Sequence, residues 1–210
     1  LGALTEADAI DAFAEQIEGL KAGGADVAWI ETMSAPEEAR AAALAAIRVG
    51  MPYVCTMSFD TAGRTMMGIM PNALEDIFKG IDPQPLAIGA NCGVGASDIV
   101  VSVSEMAGFA TPVVSKGNCG VPKFVGTTIV YSGTPDLMAT YAVLAIDAGV
   151  RIVGGCCGNS PEHVASMRQA MDGHIKGAVP SVDEVVNALG ALTNSIPTVS
   201  DTTDRDSRRR

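Results

Sequence analysis

Cysteines stand at positions 55, 92, 119, 156 and 157, and two of them, Cys156 and Cys157, are neighbours. A disulfide between adjacent residues strains the peptide that joins them, so the pair is expected to be reduced. Reduced, the two are either small buried hydrophobes or two ligands of one soft metal. Their setting, Gly154-Gly155-Cys156-Cys157-Gly158, raises the weight of the second reading, because glycines let the backbone bend until both sulfurs face one point. Cys92 follows another apolar run, 64 residues earlier. Three thiolates meeting at one point would leave a fourth tetrahedral position vacant, which describes an open zinc site and not a closed structural one. Such a site suits thiol activation: a thiol entering the fourth position loses its proton yet stays nucleophilic. Four thiolates on one zinc carry a net charge of −2, so the sulfurs are electron-rich. Attack on a methyl group attached to a positive nitrogen or sulfur follows as an in-line displacement.

That chemistry requires a fold that brings residue 92 to residues 156 and 157. Ile10, Phe13, Ile17 and Leu20 recur on one helical face behind a Thr5 cap, and a buried strand follows over 26–32. Ser34-Ala35-Pro36-Glu37 reads as a capping box opening an alanine-rich helix that ends near Gly50. Further strands are expected at 52–59, 85–91, 111–115 and 150–153. Between and after them fall a short helix capped by Asn72 with Glu75, and helices starting near Ser97, at Thr134-Pro135 and at Ser160-Pro161. Strand, loop and helix thus recur five times at roughly 30-residue intervals, the signature of a parallel α/β fold.

Two architectures share that signature, an open doubly wound sheet and part of a (β/α)8 barrel. Neither a G-x-G-x-x-G after the first strand nor a phosphate-binding G-x-x-x-x-G-K-[ST] is present. The residues rich in chemistry follow several different strands instead: Glu31, Ser58–Asp60, Asn91–Cys92, Asn118–Cys119 and Cys156–Cys157. In a barrel these converge on one mouth; in an open sheet they would be strung along a line. The barrel is therefore the expectation. The pattern fades after Ala178, so 1–178 is read as the barrel portion and 179–210 as one short helix near 181–190 with a disordered polar tail from 193.

Composition narrows the function classes. Of the 210 residues, 48% are hydrophobic and 18% charged, which excludes disorder for most of the chain. Fourteen Lys and Arg against twenty-four Asp and Glu give a net charge of −10, which argues against a broad nucleic-acid surface. No apolar run approaches the roughly 20 residues of a membrane span. The odd cysteine count, with no secretory signal, argues against a disulfide framework and for a reducing, cytoplasmic compartment.

Gly89-Ala90-Asn91-Cys92-Gly93 and Gly154-Gly155-Cys156-Cys157-Gly158 resemble the two zinc motifs of the homocysteine S-methyltransferases. The resemblance runs from about Leu4 to Met171, and the paired motifs in this order are much more specific than either alone. It implies a (β/α)8 barrel of which this chain holds only about the last five β/α units. It implies further that Cys92, Cys156 and Cys157 bind Zn2+ and that the sulfur of homocysteine completes the tetrahedron. The product would be methionine and the donor a methylated ammonium or sulfonium compound; methylfolate is a further option. Glu31, in Ile30-Glu31-Thr32, matches the family's strand-end Glu that contacts the amino group of homocysteine. Asn118, in Ser115-Lys116-Gly117-Asn118, matches an Asn that lies near the metal and takes the vacant position without substrate. The family's first strand, with its Asp-Gly motif, and two further strands have no counterpart here.

The remaining candidates have plainer readings. Cys55 and Cys119 are expected in the core, His163 and His174 exposed and away from the mouth, and the ten Met residues in flexible packing. Competing with the enzyme are a non-catalytic zinc- or thiol-binding module and an inactive part that works only with an N-terminal partner. A homo-oligomer is compatible with all three.

Overall fold

The computed structural model describes residues 2–193. Five strands form one parallel sheet: β1 (Ala28–Met33), β2 (Tyr53–Met57), β3 (Ala87–Cys92), β4 (Val113–Gly117) and, after an excursion, β7 (Ile152–Gly155). They lie side by side in chain order, β1-β2-β3-β4-β7, without the reversal of order that a doubly wound sheet has at its switch point. The helices are α1 (Glu6–Ala22), α2 (Pro36–Val49), α3 (Ala96–Ser104), α4 (Pro135–Asp147), α5 (Pro161–Met171) and α6 (Val182–Leu189), with a 3₁₀ helix over Pro71–Phe78.

The two faces of the sheet differ. Ile30, Cys55, Met57, Ile88, Ala90 and Val113 point to one side and join the helices in a single large core. On the other side only Val54, Ala87 and Val114 form a small cluster. Trp29 on β1 and Ile152 on β7, facing the same way, remain 39% and 37% exposed. Alternation along β1 therefore separates a helix-covered face from a barer one, and the barer face carries Glu31. α2 packs closely because its buried positions are nearly all alanine.

Several local expectations change. Ser34 does not cap α2; the N-cap is Ala35, which makes no side-chain cap bond, and Pro36 begins the helix by pre-setting its own φ. Asn72 does not cap the 3₁₀ helix, whose N-cap is Met70, and the Glu75 carboxylate accepts instead from the Thr111 N–H at 3.0 Å. An antiparallel hairpin, β5 (Pro122–Val125) and β6 (Thr128–Tyr131), occupies what reads as a loop between β4 and α4. Its signal is two short β-branched and aromatic runs separated by Gly126-Thr127, the two-residue spacing of a tight hairpin.

Neither histidine is freely exposed. His163 Nδ1 accepts from the Ser160 N–H at 3.0 Å, closing the N-terminus of α5, and His174 Nε2 lies 2.8 Å from Asp147 in a mostly buried pair. Cys55 and Cys119 are buried as expected. The short helix expected near 181–190 is α6, whose Val185 and Leu189 join the common core. Of the expected polar tail, only Thr193 falls among the described residues. No described helix is long and apolar enough to cross a membrane.

Candidate metal centre

Parallel strands present their C-terminal ends on one side, and three adjacent strands bring the cysteines there. Cys92 ends β3, Cys156 and Cys157 follow β7, and β4 lies between them. The turn after β7 is held against β4 by the Cys156 N–H to Gly117 O at 2.8 Å and the Cys119 N–H to Cys157 O at 2.9 Å. Cys92 itself adopts φ 60°, a left-handed conformation that costs a non-glycine residue about 1–2 kcal/mol. Gly93 follows with φ 68°, and its N–H donates to Ser58 Oγ at 3.2 Å. The chain is thus turned sharply at the motif, which aims the Cys92 sulfur toward the pair.

The three sulfurs lie within 4.8 Å of one another, with Cys92–Cys157 at 4.0 Å and Cys156–Cys157 at 3.9 Å. Tetrahedral zinc with Zn–S bonds of about 2.3 Å separates its sulfurs by about 3.8 Å. The donor set therefore fits zinc in both chemistry and spacing. Cys119 is not part of the cluster.

Without a cation, three neighbouring thiols share their protons unequally. Hydrogen bonds, first from Cys92 and then from Asn91 and Cys157, hold the Cys156 thiol down to about 5. The Cys92 thiol is pushed up by the same shared proton and by burial. Of the two, Cys156 is the sulfur favoured to ionise and Cys92 the one favoured to keep its proton. Zinc uptake at pH 7 must release the Cys92 proton, and apparent affinity should fall about tenfold for each proton released per unit of acidification. Titrating zinc into weakly buffered protein checks this. Uptake with no proton release, or pH-independent affinity between 6 and 8, would contradict it.

Two asparagines tie the cluster to the sheet. Buried Asn91 accepts from the Thr32 N–H (2.8 Å) and the Thr56 hydroxyl (2.6 Å), and donates to Thr32 Oγ1 (2.7 Å) and toward Cys156 Sγ (3.9 Å). It thereby connects β1, β2 and β3 to the cysteine pair. Asn118 donates to Gly93 O (3.0 Å) and Cys92 Sγ (3.6 Å), while its Oδ1 accepts from the Cys157 N–H at 3.0 Å. In this structure Asn118 therefore bridges the two cysteine motifs, and its amide oxygen is engaged.

Glu31 lies on the barer face of β1 and is not free. Lys116 of β4 spans the sheet to form an ion pair with its carboxylate, and the Lys116 ammonium also sits 5.2 Å from the centre of the Trp29 ring. Gly154 lies beside the Lys116 stem, where an added Cβ would come to 3.4 Å from Lys116 Cγ. Sequence reasoning singled out neither Asn91 nor Lys116 for a role of its own. Their signal is position: each lies on a strand within two residues of a candidate ligand.

The fold resembles two solved forms of homocysteine methyltransferase MmuM from Escherichia coli. The apo form is 22% identical with a TM-score of 0.62, over 77% of this chain and 57% of that one. The oxidised form is 23% identical with a TM-score of 0.60, over 76% of this chain and 52% of that one. The chain thus spans between half and three-fifths of the length of these relatives. The family model described as homocysteine S-methyltransferase matches residues 1–171, the segment that contains every cysteine described above, and the chain belongs to that family.

Proposed function

We propose that this chain carries the zinc-binding part of a methyl transfer to the thiol of homocysteine, giving methionine, and that its five parallel strands are the last five of a (β/α)8 barrel. The observation that supports this best is the convergence of Cys92, Cys156 and Cys157 at the spacing of a tetrahedral zinc. When bound, zinc would supply the positive charge that keeps a substrate thiol ionised at neutral pH. Cys92, Cys156 and Cys157 are the residues that would hold the ion. The thiolate then forms the S–CH3 bond as the donor's C–N⁺ or C–S⁺ bond breaks, and the electron pair departs with the donor, leaving it neutral. The thiol proton goes to solvent. A methylated ammonium or sulfonium compound is the donor class this suits.

The chain's own residues would bind and orient the substrate. Glu31, on the barer face of β1, would complement the ammonium group of homocysteine. Lys116 must first leave it. Replacing Lys116 with Met removes that competitor, and KM for homocysteine should fall by up to about fivefold with kcat unchanged, as befits an exposed to half-buried ion pair worth about 1 kcal/mol or less. A raised KM would show instead that Lys116 grips the substrate. Asn118, by holding both motifs in register, keeps the sulfurs converged on the incoming thiol.

The experiment is a methionine-forming assay of the zinc-loaded chain with homocysteine and a panel of ammonium, sulfonium and folate donors. Product with at least one donor supports the reading; none with any donor, from protein that holds zinc, favours the non-catalytic module. A second reading, in which transfer needs further strands paired to β1, is favoured by that strand's open edge and by exposed Trp29. It predicts activity only when such strands are supplied.

A further inference from the structure

The turn that carries Cys156 and Cys157 has four backbone polar groups, and all four are held. The Cys156 N–H donates to Gly117 O (2.8 Å) and the Cys157 N–H to Asn118 Oδ1 (3.0 Å). Cys157 O accepts from the Cys119 N–H (2.9 Å). Cys156 O accepts twice from one residue, from the Asn159 N–H (3.4 Å) and from Asn159 Nδ2 (3.3 Å). Pairing of this kind fixes a turn that a glycine on either side would otherwise leave loose.

Asn159 does more than pair one carbonyl. Its Nδ2 also donates to Gly117 O (3.0 Å) and to Cys157 O (3.5 Å), so three carbonyl oxygens face one amide nitrogen. One of them ends β4, and the other two belong to candidate metal ligands. Turning the amide over would set an oxygen against three oxygens, so its orientation is fixed, although Oδ1 is then buried with no partner among the described residues. The side chain folds back against Gly155, where an added Cβ would come to 2.4 Å from Asn159 Cγ. From the other side Asn159 is held by α5. Ser160, the N-cap of that helix, bonds to His163 Nδ1 through both its N–H (3.0 Å) and its hydroxyl (2.8 Å).

We propose that Asn159 is a positioning residue of the metal centre: its amide gathers the carbonyls of Gly117, Cys156 and Cys157 around one donor and so holds the cysteine pair toward Cys92. It acts through the backbone of the ligands. This rests on the reading of the three cysteines as a zinc site, and not on methyl transfer. Without the amide, three carbonyl dipoles face one place with too few donors, and the turn relieves that by opening. Cys157, the exposed member of the cluster, is then the sulfur that drifts.

The test is metal binding by the full chain, wild type against Asn159→Leu, which keeps the volume and removes the donor. Zinc affinity is read by competition with a chromophoric chelator, and sulfur ligation by the sulfur-to-cobalt charge-transfer band of the cobalt-substituted chain. Urea unfolding of the metal-free chain is recorded beside them. Asn159→Leu should bind zinc about tenfold more weakly, the low end of the cost of losing a group that orients a ligand. Its charge-transfer band should weaken as a sulfur leaves the metal. If Asn159→Leu does not fold, Asn159→Ala is read in the same way. A lower urea midpoint with zinc affinity and cobalt band unchanged would overturn the proposal and leave Asn159 as a stabiliser of the turn. No change in any of the three would overturn it equally. A wild-type chain that binds neither zinc nor cobalt would overturn the zinc reading itself.

Discussion

Changing Cys156 to serine should leave the chain without stoichiometric zinc and without methyl transfer to homocysteine. Cys156 is the sulfur held ionised in the metal-free cluster, with its thiol lowered to about 5 chiefly by the hydrogen bond from Cys92. Serine keeps the shape but is not ionised at neutral pH and offers a harder donor. Two thiolates and a neutral hydroxyl do not replace three thiolates, and the zinc content of purified protein should fall from about one per chain to near zero. Cys92→Ala should behave alike. Cys119→Ala is the control, because its buried thiol is raised by burial and lies outside the cluster, so zinc should be retained. Full zinc content in Cys92→Ala or Cys156→Ser would mean that the site is wrongly placed.

Asn91→Leu carries the second large effect, and it falls on stability as well as on metal. The side chain is 1% exposed and makes bonds into β1 and β2 while lying beside Cys156. Leucine fills a similar volume but leaves the Thr32 N–H and the fully buried Thr56 hydroxyl unpaired. At about 1–3 kcal/mol for each buried group left unsatisfied, the loss should be about 3 kcal/mol, read as a lower urea midpoint at unchanged slope. Asn91→Asp separates the two roles. Its carboxylate still accepts from Thr32 and Thr56, so most stability should survive. The donor toward Cys156 is gone, however, and a negative charge stands beside the thiolate, so zinc affinity should fall. If Asn91→Asp bound zinc like the wild type, Asn91 would serve the sheet alone.

The order of elements was legible because buried parallel strands write themselves as short apolar runs, and all five appear within two residues of their expected bounds. The convergence of Cys92 with the Cys156–Cys157 pair was legible for a related reason: chemistry-bearing residues that end successive parallel strands must share one side of the sheet. Where capping was inferred from residue type alone, at Ser34 and Asn72, it failed, since a proline at the first helical position starts each of those helices without a side-chain cap. The β5–β6 hairpin escaped because its strands have only four residues each and no buried face to impose a pattern. Lys116 escaped because what matters in it is a partner 85 residues away, across strands whose pairing only the fold decides. Glu31 was legible as a strand-end carboxylate, but its occupation by Lys116 was not.

The most direct test of the central claim is X-ray absorption at the zinc edge of the loaded chain, recorded with and without homocysteine. The account predicts three sulfur neighbours at about 2.3 Å in the free protein, joined by a fourth when homocysteine is added. Fewer than three sulfurs in the free protein, or a count that homocysteine leaves at three, would contradict it.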